Sequence, residues 1–129
     1  MTNFVLDASA LIAMLREEPG AKRVAEAIAG ARMSVFNYAE VVSYFIYAGM
    51  DERDIDAMLD PLPIELVPAD KELARLAGLL RRPTAQAGLS LGDRFCLALA
   101  KQKSLSAWTA DNGWKRIAGA AGVDVVTIR

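Results

Sequence analysis

The segment that most constrains the fold is residues 4–9 (FVLDAS), in which a short apolar run ends on an acid. Val5 and Leu6 predict the end of a buried strand, so Asp7 lies where the strand gives way to a helix. In an open parallel sheet this point belongs to the carboxyl edge, where ligands bind. Any other acid that follows a strand of the same sheet would meet Asp7 there.

Strands and helices alternate along the whole chain, which is typical of a parallel α/β sheet. The apolar pattern predicts strands at residues 3–6, 33–35, 64–67, 105–109 and 123–128. It predicts helices at residues 8–16, 21–29, 37–49, 51–59, 70–80, 90–103 and 112–121. A chain of 129 residues suits one core, so residues 1–129 are predicted to form a single domain.

The composition excludes several kinds of site. Histidine is absent, which removes the usual general base and the usual zinc ligand. The net charge of −1 gives no global positive field, so a nucleic-acid substrate would need a local basic patch or a metal ion. We expect no export and no membrane span. The single cysteine, Cys96, lies in an apolar run and predicts a buried residue in a reducing cytoplasm.

Four acids are predicted to converge at the sheet edge. Asp7 ends the first strand, and Glu40 lies in the first turn of the helix after the second. Asp93 lies in the first turn of its own helix, and Asp111 follows the strand at residues 105–109. Convergent carboxylates repel one another, and a divalent cation is the simplest compensation. Oxygen ligands without histidine or cysteine select Mg²⁺ or Mn²⁺, which can activate water against a phosphodiester.

Each acid also has an ordinary structural interpretation. Asp7 and Asp93 can cap the starts of helices, and Glu40 can favour its helix dipole. Asp111 precedes Asn-Gly and can be a turn residue. For a single acid the structural interpretation is favoured, whereas four acids at one edge favour a metal site.

The ordered set of motifs resembles that of the PIN-domain ribonucleases, and in particular the VapC-type toxins of bacterial toxin–antitoxin pairs. The matching segments are residues 5–9 (VLDAS), 37–41 (NYAEV), 88–93 (GLSLGD) and 109–111 (TAD), followed by Trp114. They come in the family's order and at its usual spacing, and together they cover the whole chain.

The resemblance implies a PIN-like three-layer fold, with a central parallel sheet and helices on both faces, and Mg²⁺- or Mn²⁺-dependent endoribonuclease activity. Some members carry a further acid where this chain has Gly113, which implies a weaker or missing second metal site. Trp114 matches an aromatic residue of the core. The family's catalytic and metal-binding acids correspond to Asp7, Glu40, Asp93 and Asp111, and its supporting hydroxyl groups to Ser9 and Thr109.

Partners are predicted from surface apolarity and from charge. The helix at residues 37–49 is apolar almost all round, and Ile55, Met58 and Leu59 follow it. This surface predicts a homodimer interface and a groove for a VapB-type antitoxin, which the resemblance also implies. RNA phosphates are expected near four cations that are otherwise ordinary surface charges: Arg16, Arg94, Lys115 and Arg116.

Three other classes of protein share part of this pattern. A phosphatase of the haloacid dehalogenase type needs a second Asp two residues after the first, where this chain has Ser9. A receiver domain needs an acidic pair near its start, which is missing. The remaining alternative is a PIN-like module that binds a partner without cutting, and the intact set of four acids argues against it.

Overall fold

The sheet is entirely parallel and has β1 at its centre. The computed structural model describes residues 3–129. Its five strands have the spatial order β3-β2-β1-β4-β5, and every neighbouring pair is parallel. The strands are β1 (Phe4–Leu6), β2 (Ala31–Ser34), β3 (Glu65–Val67), β4 (Ser106–Thr109) and β5 (Val125–Thr127). The predicted parallel α/β fold is therefore confirmed.

Helices cover both faces of the sheet. They are α1 (Ala8–Leu15), α2 (Ala21–Ala27), α3 (Val35–Tyr47), α4 (Glu52–Leu59), α5 (Lys71–Leu79), α6 (Leu91–Lys103) and α7 (Ala118–Ala121). Short 3-10 turns occupy Ile28–Gly30, Ala85–Ala87 and Asn112–Arg116. Along β1 successive side chains alternate between two cores, because a strand presents its residues to opposite faces. Phe4 and Leu6 pack with α1 to α4, whereas Val5 packs with α5, α6 and Trp114. The three-layer arrangement that the resemblance implies is confirmed.

The strand order places a topological switch point beside β1. From β1 the chain moves to β2 and then to β3 on one side, and it returns to place β4 on the other side of β1. The connections that leave β1 and β4 therefore diverge, which opens a crevice at their carboxyl ends. Asp7 follows β1 and Asp111 lies two residues after β4, so the crevice lies between them.

The second strand ends earlier than predicted. Val35 was expected to be a strand residue because it is β-branched, yet it is the first residue of α3. Ser34 has extended backbone angles, and its hydroxyl oxygen accepts a hydrogen bond from the N–H of Phe36 at 3.1 Å. Helix capping therefore overrides strand propensity at this position. As a result Glu40 lies in the second turn of α3, and its predicted place in the first turn is wrong.

The helix predicted at residues 112–121 is also divided. A 3-10 turn over Asn112–Arg116 precedes α7, which has only four residues. Asp111 caps the turn by accepting a hydrogen bond from the N–H of Gly113, and Gly119 lies within α7. Glycine and a tight acidic turn weaken a regular helix. The other predicted elements are present, with ends that differ by at most two residues.

The core includes part of the surface that was expected to bind partners. Val41 and Phe45 of α3 are buried, and so are Ile55 and Leu59 of α4. Tyr47, in contrast, is 94% exposed. Trp114 and Cys96 are both fully buried, as predicted. None of the helices within residues 3–129 is long and apolar enough to cross a membrane.

The Ser34 cap can be tested by mutation. Ser34→Ala would leave a helix N–H without its partner in a fully buried position, so we expect the free energy of unfolding to fall by about 1 kcal/mol. Ser43→Ala, on the exposed face of the same helix, should change it by less than about 0.5 kcal/mol. Urea denaturation of both variants measures the difference. Equal losses would contradict the assigned cap.

Candidate active site

Asp7 is the most buried acid of the site. It caps α1, and its side chain is 4% exposed. Its Oδ2 accepts hydrogen bonds from the hydroxyl groups of Ser9 at 2.5 Å and Thr109 at 3.1 Å. Burial raises the pKa of Asp7 to about 7; the charges of Asp93 and Glu40 add to this, and the two hydroxyl bonds oppose it.

The two hydroxyl groups also connect neighbouring parts of the sheet edge. Ser9 Oγ accepts a hydrogen bond from the N–H of Ala110 at 3.0 Å. Thr109 Oγ1 accepts one from the N–H of Asp111 at 3.1 Å. Each hydroxyl group thus donates a hydrogen bond to Asp7 and accepts one from the backbone that leads to Asp111. Together they fix the position of Asp7 relative to Asp111.

Glu40 is held at the contact between α3 and α6. Asn37 Nδ2 donates to Glu40 Oε1 at 2.8 Å and to the carbonyl oxygen of Gly92 at 2.9 Å. Asn37 is fully buried, and its Oδ1 has no hydrogen-bond partner among the described residues. A Cβ added at Gly92 would overlap the Glu40 carboxylate, so the carboxylate would have to leave this position if residue 92 carried a side chain. Glu40 therefore reaches the site although it starts one turn further along its helix than predicted.

Asp93 and Asp111 serve their own helix starts as well. Asp93 Oδ2 accepts from the N–H of Ser90 at 2.9 Å, and Ser90 Oγ accepts from the N–H of Asp93 at 3.1 Å, which forms the predicted capping box. Asp111 Oδ1 accepts from the N–H of Gly113 at 2.8 Å. Both structural interpretations of these acids are therefore confirmed.

All four acids share the same pattern of hydrogen bonding. One oxygen of each carboxylate is held by hydrogen bonds from the protein, and the second accepts none from the described residues. The held oxygens are Asp7 Oδ2, Glu40 Oε1, Asp93 Oδ2 and Asp111 Oδ1. Capping therefore uses half of each carboxylate and leaves the other half available to a ligand.

The acids also act on one another electrostatically. Burial raises the pKa of Glu40, and the charge of Asp93 raises it further against the hydrogen bond from Asn37. Burial likewise raises the pKa of Asp93. The hydrogen bonds with Ser90 lower this pKa, and the charge of Asp111 raises it. The charge of Asp93 thus interacts with those of the other three acids, which places all four within electrostatic reach of Asp93.

The donor set fits a hard divalent cation. Each of the four acids has a free carboxylate oxygen, and the pKa values of Asp7, Glu40 and Asp93 are raised, so the surrounding groups do not neutralise the negative charge of the site. Within residues 3–129, however, no group of three acids lies close enough to enclose one ion as it stands. A bound cation would therefore have to draw the carboxylates together.

The four predicted RNA-binding cations lie in different places. Lys115 and Arg116 belong to the exposed turn that follows Asp111, and Arg94 follows Asp93 directly in α6. Arg16 lies at the opposite end of α1 from Asp7, where it donates to the Tyr44 hydroxyl group and pairs with Glu18. Arg94 is 7% exposed, so the alternative of a solvated surface charge is wrong for this residue.

Sequence reasoning missed two residues that position the site, Asn37 and Gly92. Both belong to segments that carry the resemblance, but neither has an acid or hydroxyl group that would mark it as a ligand. A polar residue three positions before Glu40, on the same helical face, was the available signal for Asn37. The role of Gly92 depends on how closely α3 approaches α6, which no local pattern encodes.

Comparison with known proteins gives a consistent result. A family model described as "PIN domain" matches residues 4–120. A protein named Ribonuclease VapC from Mycolicibacterium smegmatis is 35% identical over 106 residues, covering 75% of this chain and 82% of that protein. Ribonuclease VapC42 from Mycobacterium tuberculosis is 32% identical over 107 residues with the same coverage.

Solved structures share the whole fold. A toxin–antitoxin complex from Klebsiella pneumoniae contains a chain with a TM-score of 0.72 at 21% identity, covering 98% of both chains. VapBC-5 from Mycobacterium tuberculosis gives a TM-score of 0.65 at 26% identity, covering 98% of this chain and 99% of the other. With the family model, the VapC relatives and the acid arrangement taken together, this chain belongs to the PIN-domain family and, within it, to the VapC ribonucleases.

Proposed function

We propose that this chain, a single PIN-like domain over residues 1–129, is a metal-dependent endoribonuclease and the toxin of a toxin–antitoxin pair. The observation that carries the proposal is the set of four carboxylates that lie beside the switch point, each with one oxygen held and one free. RNA cleavage is the activity named for the VapC relatives. The oxygen-only donor set of Asp7, Glu40, Asp93 and Asp111 selects Mg²⁺ or Mn²⁺.

The roles of the residues follow from their contacts. When bound, the metal ion supplies an activated water and stabilises charge on the phosphodiester under attack. Asp7, Glu40, Asp93 and Asp111 offer it their free oxygens. Ser9 and Thr109 keep the Asp7 carboxylate in one orientation, and Asn37 does the same for Glu40. Lys115 and Arg116, in the turn after Asp111, bind RNA phosphates at the rim, whereas Arg16 lies too far along α1 to reach the same phosphate.

The partners are a VapB-type antitoxin and a second copy of this chain. The toxin–antitoxin complexes among the structural neighbours support the first. A cleft of about 120 Å³ fits one aliphatic side chain of such an antitoxin; its lining is mostly apolar and comprises Leu11, Tyr38, Leu59, Leu62, Ile64 and Leu66, with the acid Asp60 beside them. The exposed face of α3 carries no charged residue and includes Val35, Ile46 and Tyr47, which suits a homodimer interface.

Cleavage chemistry tests the nuclease proposal. Purified protein with Mg²⁺ or Mn²⁺ should cut single-stranded or looped RNA and leave a 5′-phosphate, because without histidine the attack is made by metal-activated water. Asp93→Asn should reduce the rate at least about a hundred-fold. It should also preserve the helix, since Asn caps about as well as Asp. The exposed Asp56→Asn is the matched control and should cut normally.

Three results would contradict this assignment. Activity that survives EDTA would exclude a metal-dependent reaction, and a cyclic phosphate product would indicate attack by the RNA's own 2′-hydroxyl group. The third concerns metal binding without catalysis. Millimolar Mn²⁺ should raise the melting temperature of wild type and Asp56→Asn more than that of Asp93→Asn. Equal shifts in all three proteins would mean that Asp93 is not part of a metal site and would favour a non-cutting PIN-like module.

The raised pKa of Asp7 predicts a pH dependence of stability in EDTA. The folded state binds the Asp7 proton more tightly than the unfolded state, in which the pKa is near the ordinary value of 3.8. Stability should therefore fall as the pH rises from about 4 to about 7 and then level off. Asp7→Asn should flatten this part of the curve, whereas the exposed Asp56→Asn should not. Urea denaturation at pH 5.0 and 7.5 gives the change in the free energy of unfolding between these two pH values. An equal change in wild type and Asp7→Asn would show that the buried carboxylate has an ordinary pKa.

The homodimer is tested through the exposed face of α3. Ile46 is 51% exposed, and Ile46→Glu would place a charge in the proposed interface. Sedimentation at tens of micromolar should show a dimer for wild type and a monomer for Ile46→Glu. Ala57→Glu, on the exposed face of α4, should remain a dimer. A monomeric wild type, or a dimer that tolerates the charge at position 46, would remove the basis for this interface.

A further inference from the structure

Arg94 is a buried cation directly beside the acids. It follows Asp93 in the first turns of α6, and its side chain is 7% exposed. Among residues 3–129 it is the only buried lysine or arginine. Lysine and arginine are almost never buried unless they are paired, so its surroundings should reveal a carboxylate partner.

No such partner is present. Each of the four ion pairs found in the described part of the chain involves other residues. Arg94 Nε donates to Thr84 Oγ1 at 3.1 Å, and Thr84 in turn donates its proton to the carbonyl oxygen of Leu80 at 2.6 Å. The two terminal nitrogens of Arg94 make no hydrogen bond to the described residues, and neither is among the polar atoms that are sealed from solvent.

This arrangement fixes the guanidinium group by one edge and leaves the other edge open. Thr84 is fully buried, and its own proton is committed to Leu80, so it can only accept the Nε–H of Arg94. Such an anchor sets the plane of the guanidinium group and reduces the rotamer freedom that binding would otherwise cost. A residue needed only for packing would not require a charge, because an apolar side chain of similar volume fills buried space at lower cost.

The position of the charge indicates its ligand. The positive charge of Arg94 acts on the Asp93 carboxylate, so it lies within electrostatic reach of the four-acid site. An RNA phosphate that approaches this site meets several negative charges and needs a cation on its flank. The planar fork of a guanidinium group matches two oxygens of a phosphate, which makes it a stronger ligand than a mobile surface lysine.

We propose that the free terminal nitrogens of Arg94, anchored through Thr84, bind the RNA phosphate that lies next to the bond under attack. This inference rests on the proposed nuclease site, whose acids lie beside Arg94. It assigns Arg94 to substrate binding and Thr84 to positioning. Neither residue holds the metal ion.

Binding measured without cleavage tests the inference independently of the nuclease activity. Fluorescence anisotropy of a labelled single-stranded RNA in EDTA gives the dissociation constant for wild type and for Arg94→Met. We expect this variant to bind about ten-fold more weakly, with a shallower dependence on salt, because one guanidinium–phosphate contact is lost. Arg53→Met, an exposed cation of α4, is the matched control and should bind within about two-fold of wild type.

Stability and rescue separate this role from packing. Arg94→Met should melt at the wild-type temperature or above, because it removes an unpaired buried charge. Thr84→Val should weaken RNA binding, and Thr84→Ser, which keeps the hydroxyl group, should restore it. Where cleavage is measurable, Arg94→Met should raise KM more than it lowers kcat.

Two outcomes would overturn the inference. Wild-type RNA affinity in Arg94→Met would show that the guanidinium group does not contact the phosphate. A lower melting temperature with unchanged KM would show a packing role, or a site for a protein carboxylate. Failure of the wild type to cut RNA would instead contradict the proposed function, and the binding measurement would still decide the role of Arg94.

Discussion

The structure depends on one buried carboxylate. Asp7 lies at the end of the central strand, where it is almost inaccessible, and the hydroxyl groups of Ser9 and Thr109 hold one of its oxygens. Those hydroxyl groups also bind the chain that leaves β4, so the same hydrogen bonds that stabilise a buried charge fix the two sides of the switch point relative to each other. These hydrogen bonds offset only part of the free-energy cost of burying the charge, since the pKa of Asp7 is still raised to about 7. The fold therefore keeps a site that is organised by hydrogen bonds and still carries excess negative charge.

The capping role of the three aspartates and the proposed metal-binding role of the acids concern different atoms. Asp7, Asp93 and Asp111 each cap a helix or turn with one oxygen, while Glu40 is held by Asn37. Capping places each carboxylate at the amino end of a helix or turn, and in a parallel sheet these ends gather at one edge. The local requirement for a cap thus brings the acids to the place where a cation can bind them. This explains why short capping motifs in the sequence also mark the functional site.

Sequence reasoning predicted most of the fold because its signals are local. The alternation of strands and helices, the Ser90–Asp93 capping box and the burial of Trp114 and Cys96 all follow from short patterns. The start of α3 was misplaced because Ser34 caps a helix whose first residue, Val35, is a good strand former. The lack of an ion pair for Arg94 and the hydrogen bond from Asn37 to Gly92 could not be predicted, since each depends on contacts between segments that are distant in sequence. The four acids were found from the strand pattern and from the resemblance together, although the pattern placed Glu40 one turn too early.

The glycine beneath Glu40 has a consequence for how such a protein can lose activity. Gly92 contributes no charge and no ligand, yet any side chain at this position would take the space that the Glu40 carboxylate occupies. A single added methyl group there would displace the acid from its present position, whereas the outer surfaces of the molecule would stay as they are. For the proposed nuclease, a substitution at this one position would therefore remove cleavage without changing the rest of the molecular surface. Four intact acids therefore do not by themselves identify an active member of this family. The residue before the third acid must be considered as well.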